Sequence, residues 1–304
     1  MQKFYSNGKL LLSGEYLILD GATGLALPTS YGQEMVVTTY ENSNELHWLS
    51  LDALENSWFE ASFKLSDLSL INLKGDREVA LTLSKILLQA KEMHPEFLMS
   101  NSGLQVTTKL EFPRNWGLGS SSTLINNIAQ WAKVDAFHLL FDSFGGSGYD
   151  IACAQHDSPI LYQLSHQFPK IKTVQFDPVF KDQIYFVYLN QKQVSSDSIR
   201  GYRSKKKNEK ALNRVSELSK ILLNAANLND FNDGLKEHES ILASVLETRP
   251  IQEKLFTDFK GQTKSLGAWG GDFILATGDQ STPSYFAQKG YTTILPFSSM
   301  IKTQ

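Results

Sequence analysis

Pro113-Arg-Asn-Trp-Gly-Leu-Gly-Ser-Ser-Ser-Thr123 decides how this chain is read. Two glycines one residue apart, Gly117 and Gly119, precede three serines, Ser120, Ser121 and Ser122. An apolar run with helical spacing follows at once: Leu124, Ile128, Trp131 and Ala132. The pattern predicts a glycine-rich loop that opens into a helix. The first amides of a helix have no intrahelical acceptor, and the helix dipole is positive at that end. Glycine lets the backbone approach a ligand with no side chain in the way. A phosphate is the natural ligand of such a construction. A surface turn with a serine cap carries the same signature. On its own the stretch leaves both readings open.

The surrounding chain narrows the choice. Its 304 residues suit two domains or one large one. With 41% hydrophobic and 20% charged residues it can bury a core and does not read as disordered. A formal net charge of −3 gives no basic footprint for nucleic acid. A small anion needs only local positive charge. The single cysteine, Cys153, permits no intrachain disulfide, which favours a reducing compartment. The N-terminal residues lack a signal-peptide core, and no apolar run approaches the roughly 20 residues of a membrane span. A cytoplasmic protein with no membrane or nucleic-acid partner is expected.

Along the chain, short apolar or β-branched runs at Lys9–Leu12, Tyr16–Leu19, Glu34–Tyr40, His47–Ser50 and Trp58–Phe63 predict a β-rich, hairpin-like start. Between Glu78 and Lys91 the period changes. Leu83, Ile86, Leu87 and Ala90 share one helical face. A strand is expected at Gly103–Leu110, then the glycine-serine loop and its helix. A second glycine-rich loop, Phe141–Ala154, ends in Asp150 and a short apolar run. Further strands are expected at Pro159–Gln163, Ile171–Phe176 and Ile184–Leu189. A polar segment from Gln191 to Lys210 carries Lys192, Arg200, Arg203 and Lys205 to Lys207, and two helices follow within Glu209–Asn227 and Asp230–Glu247. A third glycine loop, Lys264–Phe273, runs into a strand at Ile274–Thr277. The order of elements predicts an α+β protein with helices over a sheet. A composition shift places a soft boundary near 165, giving domains 1–165 and 166–304.

Neither G-x-x-x-x-G-K-[ST] nor G-x-G-x-x-G after a first strand is present. The motifs that are present resemble those of the GHMP kinases, the family of galactokinase, homoserine, mevalonate and phosphomevalonate kinases. Gly8-Lys-Leu-Leu-Leu-Ser-Gly-Glu-Tyr16 resembles the first motif. Pro113 to Ser122 resembles the second, P-x-x-x-G-L-G-S-S. Gly267-Ala-Trp-Gly-Gly271 resembles the third. Ser147-Gly-Tyr-Asp150 is similar to the S-G-x-D catalytic segment, and Gly148-Tyr-Asp-Ile-Ala152 to the subgroup named for that string. Order and spacing match along nearly the whole chain.

The resemblance implies a two-domain α+β fold: an N-terminal nucleotide-binding domain, a C-terminal ferredoxin-like domain, and an active site in the cleft between them. It implies transfer of the ATP γ-phosphoryl group to a small-molecule acceptor, with Mg²⁺. It assigns nucleotide binding to Pro113, Gly117, Leu118, Gly119, Ser120, Ser121, Ser122, Gly267, Gly270 and Gly271. Ser121 becomes the metal contact, and Asp150 the base or orienting carboxylate. Lys9 is implied to pair with Asp150 and to offset transition-state charge. Glu15 and Tyr16 fall where family members contact the acceptor, and Arg200 in the basic segment suits an acceptor phosphate. A homodimer is compatible with the resemblance.

Each residue also has a plainer reading. Asp150 suits a turn, Lys9 a solvated strand edge, Ser121 a helix cap, Glu15 and Tyr16 a strand end, and the basic segment a solvent-facing loop. The pattern also departs from the family. Mevalonate kinases carry a second metal-binding glutamate at the position of Leu139, and Trp269 replaces a usual glycine. Asp272 after the third motif, and Tyr16 in place of histidine, lean toward phosphomevalonate kinases. Two alternatives stay open: a nucleotide-binding sensor with weakened catalysis, and a relative of diphosphomevalonate decarboxylase.

Overall fold

The computed structural model describes residues 1–302 except Asn42, Asn101, Gln167, residues 192–194 and Gly270, with backbone alone for 195–198. Its elements run in the order β1 (Gln2–Ser13), β2 (Gly24–Tyr40), β3 (Glu45–Leu51), β4 (Ser57–Lys64), β5 (Leu70–Lys74), α1 (Arg77–Met93), β6 (Gly103–Leu110), α2 (Ser120–Ala132), α3 (Ala136–Ser143) and α4 (Tyr149–Gln155). Then come β7 (Ile160–Ser165), β8 (Phe168–Thr173), β9 (Ile184–Tyr188), α5 (Ser195–Arg203), α6 (Glu209–Leu223), α7 (Leu228–Leu246) and α8 (Ile251–Leu255). The chain ends with β10 (Gln262–Ser265), β11 (Phe273–Thr277), α9 (Thr282–Gln288), β12 (Ile294–Pro296) and α10 (Phe297–Met300).

These elements form two compact units. The first comprises residues 1–8, 31–114 and 119–155; the second comprises 9–30, 115–118 and 156–304. Residues 9–30 join the C-terminal half because their polar groups are satisfied there. Ser13 and Ser219 share a hydroxyl hydrogen bond of 2.7 Å, and the Thr23 amide donates to Ser216 Oγ at 2.9 Å.

In the first unit the strands pair in the order β5-β4-β3-β6-β2. The β3–β6 pair is parallel and the others are antiparallel. Because β3 and β6 are parallel, the chain between them must cross over, and α1 makes that crossing. Asp76 caps α1 by accepting from the Glu78 amide at 2.8 Å, and Ala80, Leu83, Ile86, Leu87 and Ala90 form its buried face. The helical period read from the sequence is therefore the packing face. Helix α2 packs with α1, α3 and α4.

In the second unit the start of β2 pairs with β7, and β7 with β8. A separate antiparallel sheet runs β10-β11-β9-β12. Strands β9 (Ile-Tyr-Phe-Val-Tyr) and β11 (Phe-Ile-Leu-Ala-Thr) are buried at every residue, which explains their unbroken apolar runs. Helices α6 and α7 pack on each other, and α7 on β10.

Three local expectations need correction. Tyr16–Leu19 is no strand; Leu17–Asp20 is a short 3-10 helix closed by Gly21 in the left-handed region. Asp150 does not end a loop. The Ala152 amide reaches the Gly148 carbonyl at 3.1 Å, so a helix begins there and Asp150 lies in its first turn. The polar segment after β9 contains the helix α5 rather than only a loop. No helix among the described residues is long and apolar enough to cross a membrane.

Candidate active site

In the first unit the glycine-serine stretch is a helix start. Gly119 occupies the N-cap at φ 90°, a conformation that favours glycine, and it offers no side-chain cap. The first turn of α2 contains no acidic residue. No acidic residue of the turn itself and no N-cap side chain competes for its leading amides, which suits an anion. The three serines differ. Ser120 is half-buried, Ser121 is exposed and Ser122 is buried. The Ser122 hydroxyl donates to Asp150 Oδ2 at 2.9 Å. The helix start and the aspartate thus stand one hydrogen bond apart.

In the second unit the first half of the same stretch meets the first motif and the residues just after the third. Lys9 Nζ donates to the Gly117 carbonyl at 2.9 Å, and the Lys9 amide donates to the Leu118 carbonyl at 3.0 Å. Leu118 is fully buried and anchors the loop. Trp116 packs edge-on against Phe273 at 5.4 Å. Gly117 has φ 68°, and a Cβ there would lie 2.5 Å from Asp272 Oδ2. Gly267 differs: it has φ 64° and open space where a Cβ would stand. Gly271 is buried, and Gly270 lies outside the described residues. Pro113 is exposed at the head of the loop. Gly117→Ala is expected to cost about 1–2 kcal/mol from the left-handed backbone alone, and more from the Asp272 clash. Thermal unfolding should show the loss, and nucleotide titration should show weakened binding.

The first motif closes on a buried polar cluster. Glu15, His238, Glu239 and Lys264 are each 2% exposed or less. Lys264 Nζ donates to Glu15 Oε1 and, at 2.8 Å, to the Ser265 carbonyl. The Gly14 amide donates to His238 Nε2 at 3.0 Å. That nitrogen therefore carries no proton, and its 3.4 Å approach to Glu15 Oε2 is not an ion pair. Burial, then Lys264, hold the imidazole well below its ordinary pKa, consistent with a neutral ring. Burial pushes the Glu15 carboxyl up, and the Lys264 charge pulls it back. Glu239 accepts from the Ser265 amide at 3.1 Å, and burial, opposed by Lys264, pushes its pKa up to about 8. One lysine thus faces two carboxylates, so one of them keeps its proton.

Between these anchors the backbone is strained. Gly14 has φ 100°, and Tyr16 has φ 60° and ψ −51° with the Leu17 amide donating back to the Glu15 carbonyl at 2.7 Å. That is a γ-turn with a tyrosine at its centre, a conformation costing about 1–3 kcal/mol unless its surroundings impose it. The Tyr16 ring packs on Tyr202 of α5 with centroids 5.5 Å apart, and the Tyr202 hydroxyl donates to Asp20. Leu17, Ala22, Val215 and Leu242 complete this apolar cluster, and Trp269 packs against it. Arg200 lies exposed on α5, two residues before Tyr202.

The chain aligns along its whole length with a solved mevalonate kinase at 12% identity and a TM-score of 0.71, covering 100% of both chains. This chain has the GHMP kinase fold. It aligns with Streptococcus pneumoniae phosphomevalonate kinase, solved in complex with phosphomevalonate and AMPPNP, at 17% identity and a TM-score of 0.71 over 97% of this chain and 100% of the other. Lactococcus lactis galactokinase complexed with galactose matches at 15% identity and 0.68, over 99% of this chain and 95% of the other. No protein-family model matches the chain, and no curated protein does.

Two departures from the GHMP pattern have structural explanations. Leu139 is fully buried on α3, so the position that mevalonate kinases fill with glutamate is here part of the core, and Asp142 beside it is exposed. Trp269 packs against the Tyr16–Tyr202 cluster of the second unit. Nothing in the sequence pattern singles out His238, Glu239 or Tyr202 as functional candidates. His238 stands between Leu235 and Leu242 on the buried stripe of α7, so its position on the apolar face was legible. Its polar partners were not, because they lie on distant segments.

Proposed function

We propose that this chain is an ATP-dependent small-molecule kinase that transfers the γ-phosphoryl group to mevalonate or phosphomevalonate in isoprenoid precursor synthesis. The Ser122–Asp150 hydrogen bond carries the proposal, because it joins an anion-binding helix start to a carboxylate. Phosphoryl transfer asks a protein mainly for positioning and neutralisation of charge. The α2 amides with Gly119 bind nucleotide phosphate in this reading, and Gly117, Gly267 and Gly271 are assigned to nucleotide binding by their motifs. A magnesium ion would neutralise phosphate charge when bound, with the exposed Ser121 hydroxyl as the protein oxygen it takes. The residues present fit a phosphate at the start of α2, where the turn holds no acidic residue and no side-chain cap, and the exposed Ser121 offers a metal one oxygen.

Asp150 receives the proton of the acceptor oxygen, and the Ser122 hydroxyl holds its Oδ2. Lys9, held by the Gly117 carbonyl, offsets charge that develops on the transferred group. Arg200 on α5 serves an acceptor that already bears a phosphate. The mevalonate and phosphomevalonate kinases among the similar structures support these two acceptors, and galactokinase sets the comparison. ADP release measured against mevalonate, phosphomevalonate, homoserine and galactose tests the choice. Turnover is expected with one of the first two. A preference for galactose or homoserine would reject the acceptor assignment.

Leu139 in the core favours one second reading, a nucleotide sensor that lacks the additional metal carboxylate. Nucleotide binding with no ADP release on any acceptor would select it.

A further inference from the structure

We infer that Lys264 and His238 are positioning residues for the acceptor, acting through the strained turn at Gly14–Tyr16. The inference rests on the kinase reading, in which that turn and α5 face the acceptor. Neither residue can touch a ligand in this arrangement, since both are fully buried. Buried polar groups of this kind are often replaceable by apolar ones without loss of stability, so stability alone gives them no purpose. Their bonds do point to one. His238 takes the Gly14 amide and Lys264 takes the Glu15 carboxylate, the two residues just before the strained Tyr16. A neutral histidine and a charged lysine therefore over-determine a turn that a tyrosine would otherwise leave.

The turn in turn sets α5. Tyr16 packs on Tyr202, and Tyr202 is tied to Asp20 at the end of the short 3-10 helix that follows the turn. Arg200 lies half a helical turn away on the same short helix. Glu15, expected to contact the acceptor, instead acts from inside by holding the turn through Lys264. Relaxing the turn should move Tyr16, and with it α5 and Arg200. The nucleotide-binding glycines should be affected less.

The test pairs His238→Leu with His238→Gln. Glutamine places an amide oxygen near the position of Nε2 and keeps an acceptor for the Gly14 amide, whereas leucine does not. In His238→Leu, hydrogen exchange across residues 14–17 should quicken by about tenfold, as expected for a buried donor left unpaired. The acceptor KM should rise by about tenfold to a hundredfold, and by more than the ATP KM. His238→Gln should return both to near wild type. Should His238→Leu fail to fold, the charge-neutral double variant Glu15→Gln with Lys264→Met provides the same readouts with the same expected result. Unchanged exchange, unchanged acceptor KM, or a glutamine variant no better than leucine would each overturn the inference. A wild-type protein that turns over no acceptor would reject the kinase reading instead, and the exchange measurement would still accept or reject the locked turn.

Discussion

Asp150→Ala is expected to lower kcat by about 10²–10⁴-fold, the usual contribution of a positioned general base, while ATP binding persists. Asp150→Asn separates the chemistry from the fold. Asparagine can still accept the Ser122 hydroxyl, now 2.9 Å from Oδ2, but it cannot take a proton. Both variants should therefore lose turnover alike. Only the alanine variant leaves the Ser122 hydroxyl without its partner, at a cost of about 1 kcal/mol in stability. Steady-state kinetics and chemical unfolding of the two variants decide the matter. An asparagine variant with wild-type turnover would show that Asp150 serves as a helix residue and nothing more.

Much of this site could be read from the sequence because its logic is local. Gly117, Gly119 and the serines announce a helix start, since open caps and left-handed glycines are encoded within a few residues of one another. The helical periods of α1 and α7 are likewise local, and the structure packs those faces inward. What stayed hidden depended on distance along the chain. The pairing of Glu15 with Lys264 joins residues 249 positions apart, and no spacing rule foretells it. Lys264 reads as a loop lysine in the sequence, although burial with a carboxylate partner makes it part of the core. The short helix carrying Asp150 is hidden in the sequence because glycines at 145, 146 and 148 dominate the local pattern.

Glu239→Gln is expected to flatten the pH dependence of stability above neutrality. The sign follows from the direction of the shift. The folded-state pKa of Glu239 is raised from an ordinary value of 4.5 to about 8, so the folded protein holds a proton that the unfolded chain has lost. Its stabilising share is complete below about 4.5 and is lost as the pH climbs through about 8. Glu15, also raised, adds in the same direction. His238 is lowered and works in the opposite sense, chiefly below its unfolded value of 6.5 and fading over about one unit above it. Lys264 faces all three. Wild-type stability should fall by roughly 1 kcal/mol between pH 6.5 and 8, at about 1.4 kcal/mol per unit of unmatched protonation, because Glu239 is already half ionised at its own pKa. Urea unfolding at pH 6.5, 7.2 and 8 measures it. Parallel curves for the wild type and Glu239→Gln would mean that Glu239 is ionised in the folded protein throughout.

The most direct measurement of the central claim follows the phosphorus itself. With the protein, ATP, Mg²⁺ and mevalonate or phosphomevalonate, ³¹P NMR should show the γ-phosphoryl signal disappearing as a new ester or diphosphate signal grows on the acceptor, with ADP in equal amount. ATP that stays intact with both acceptors, or is lost only to inorganic phosphate whether or not an acceptor is present, would contradict the assignment.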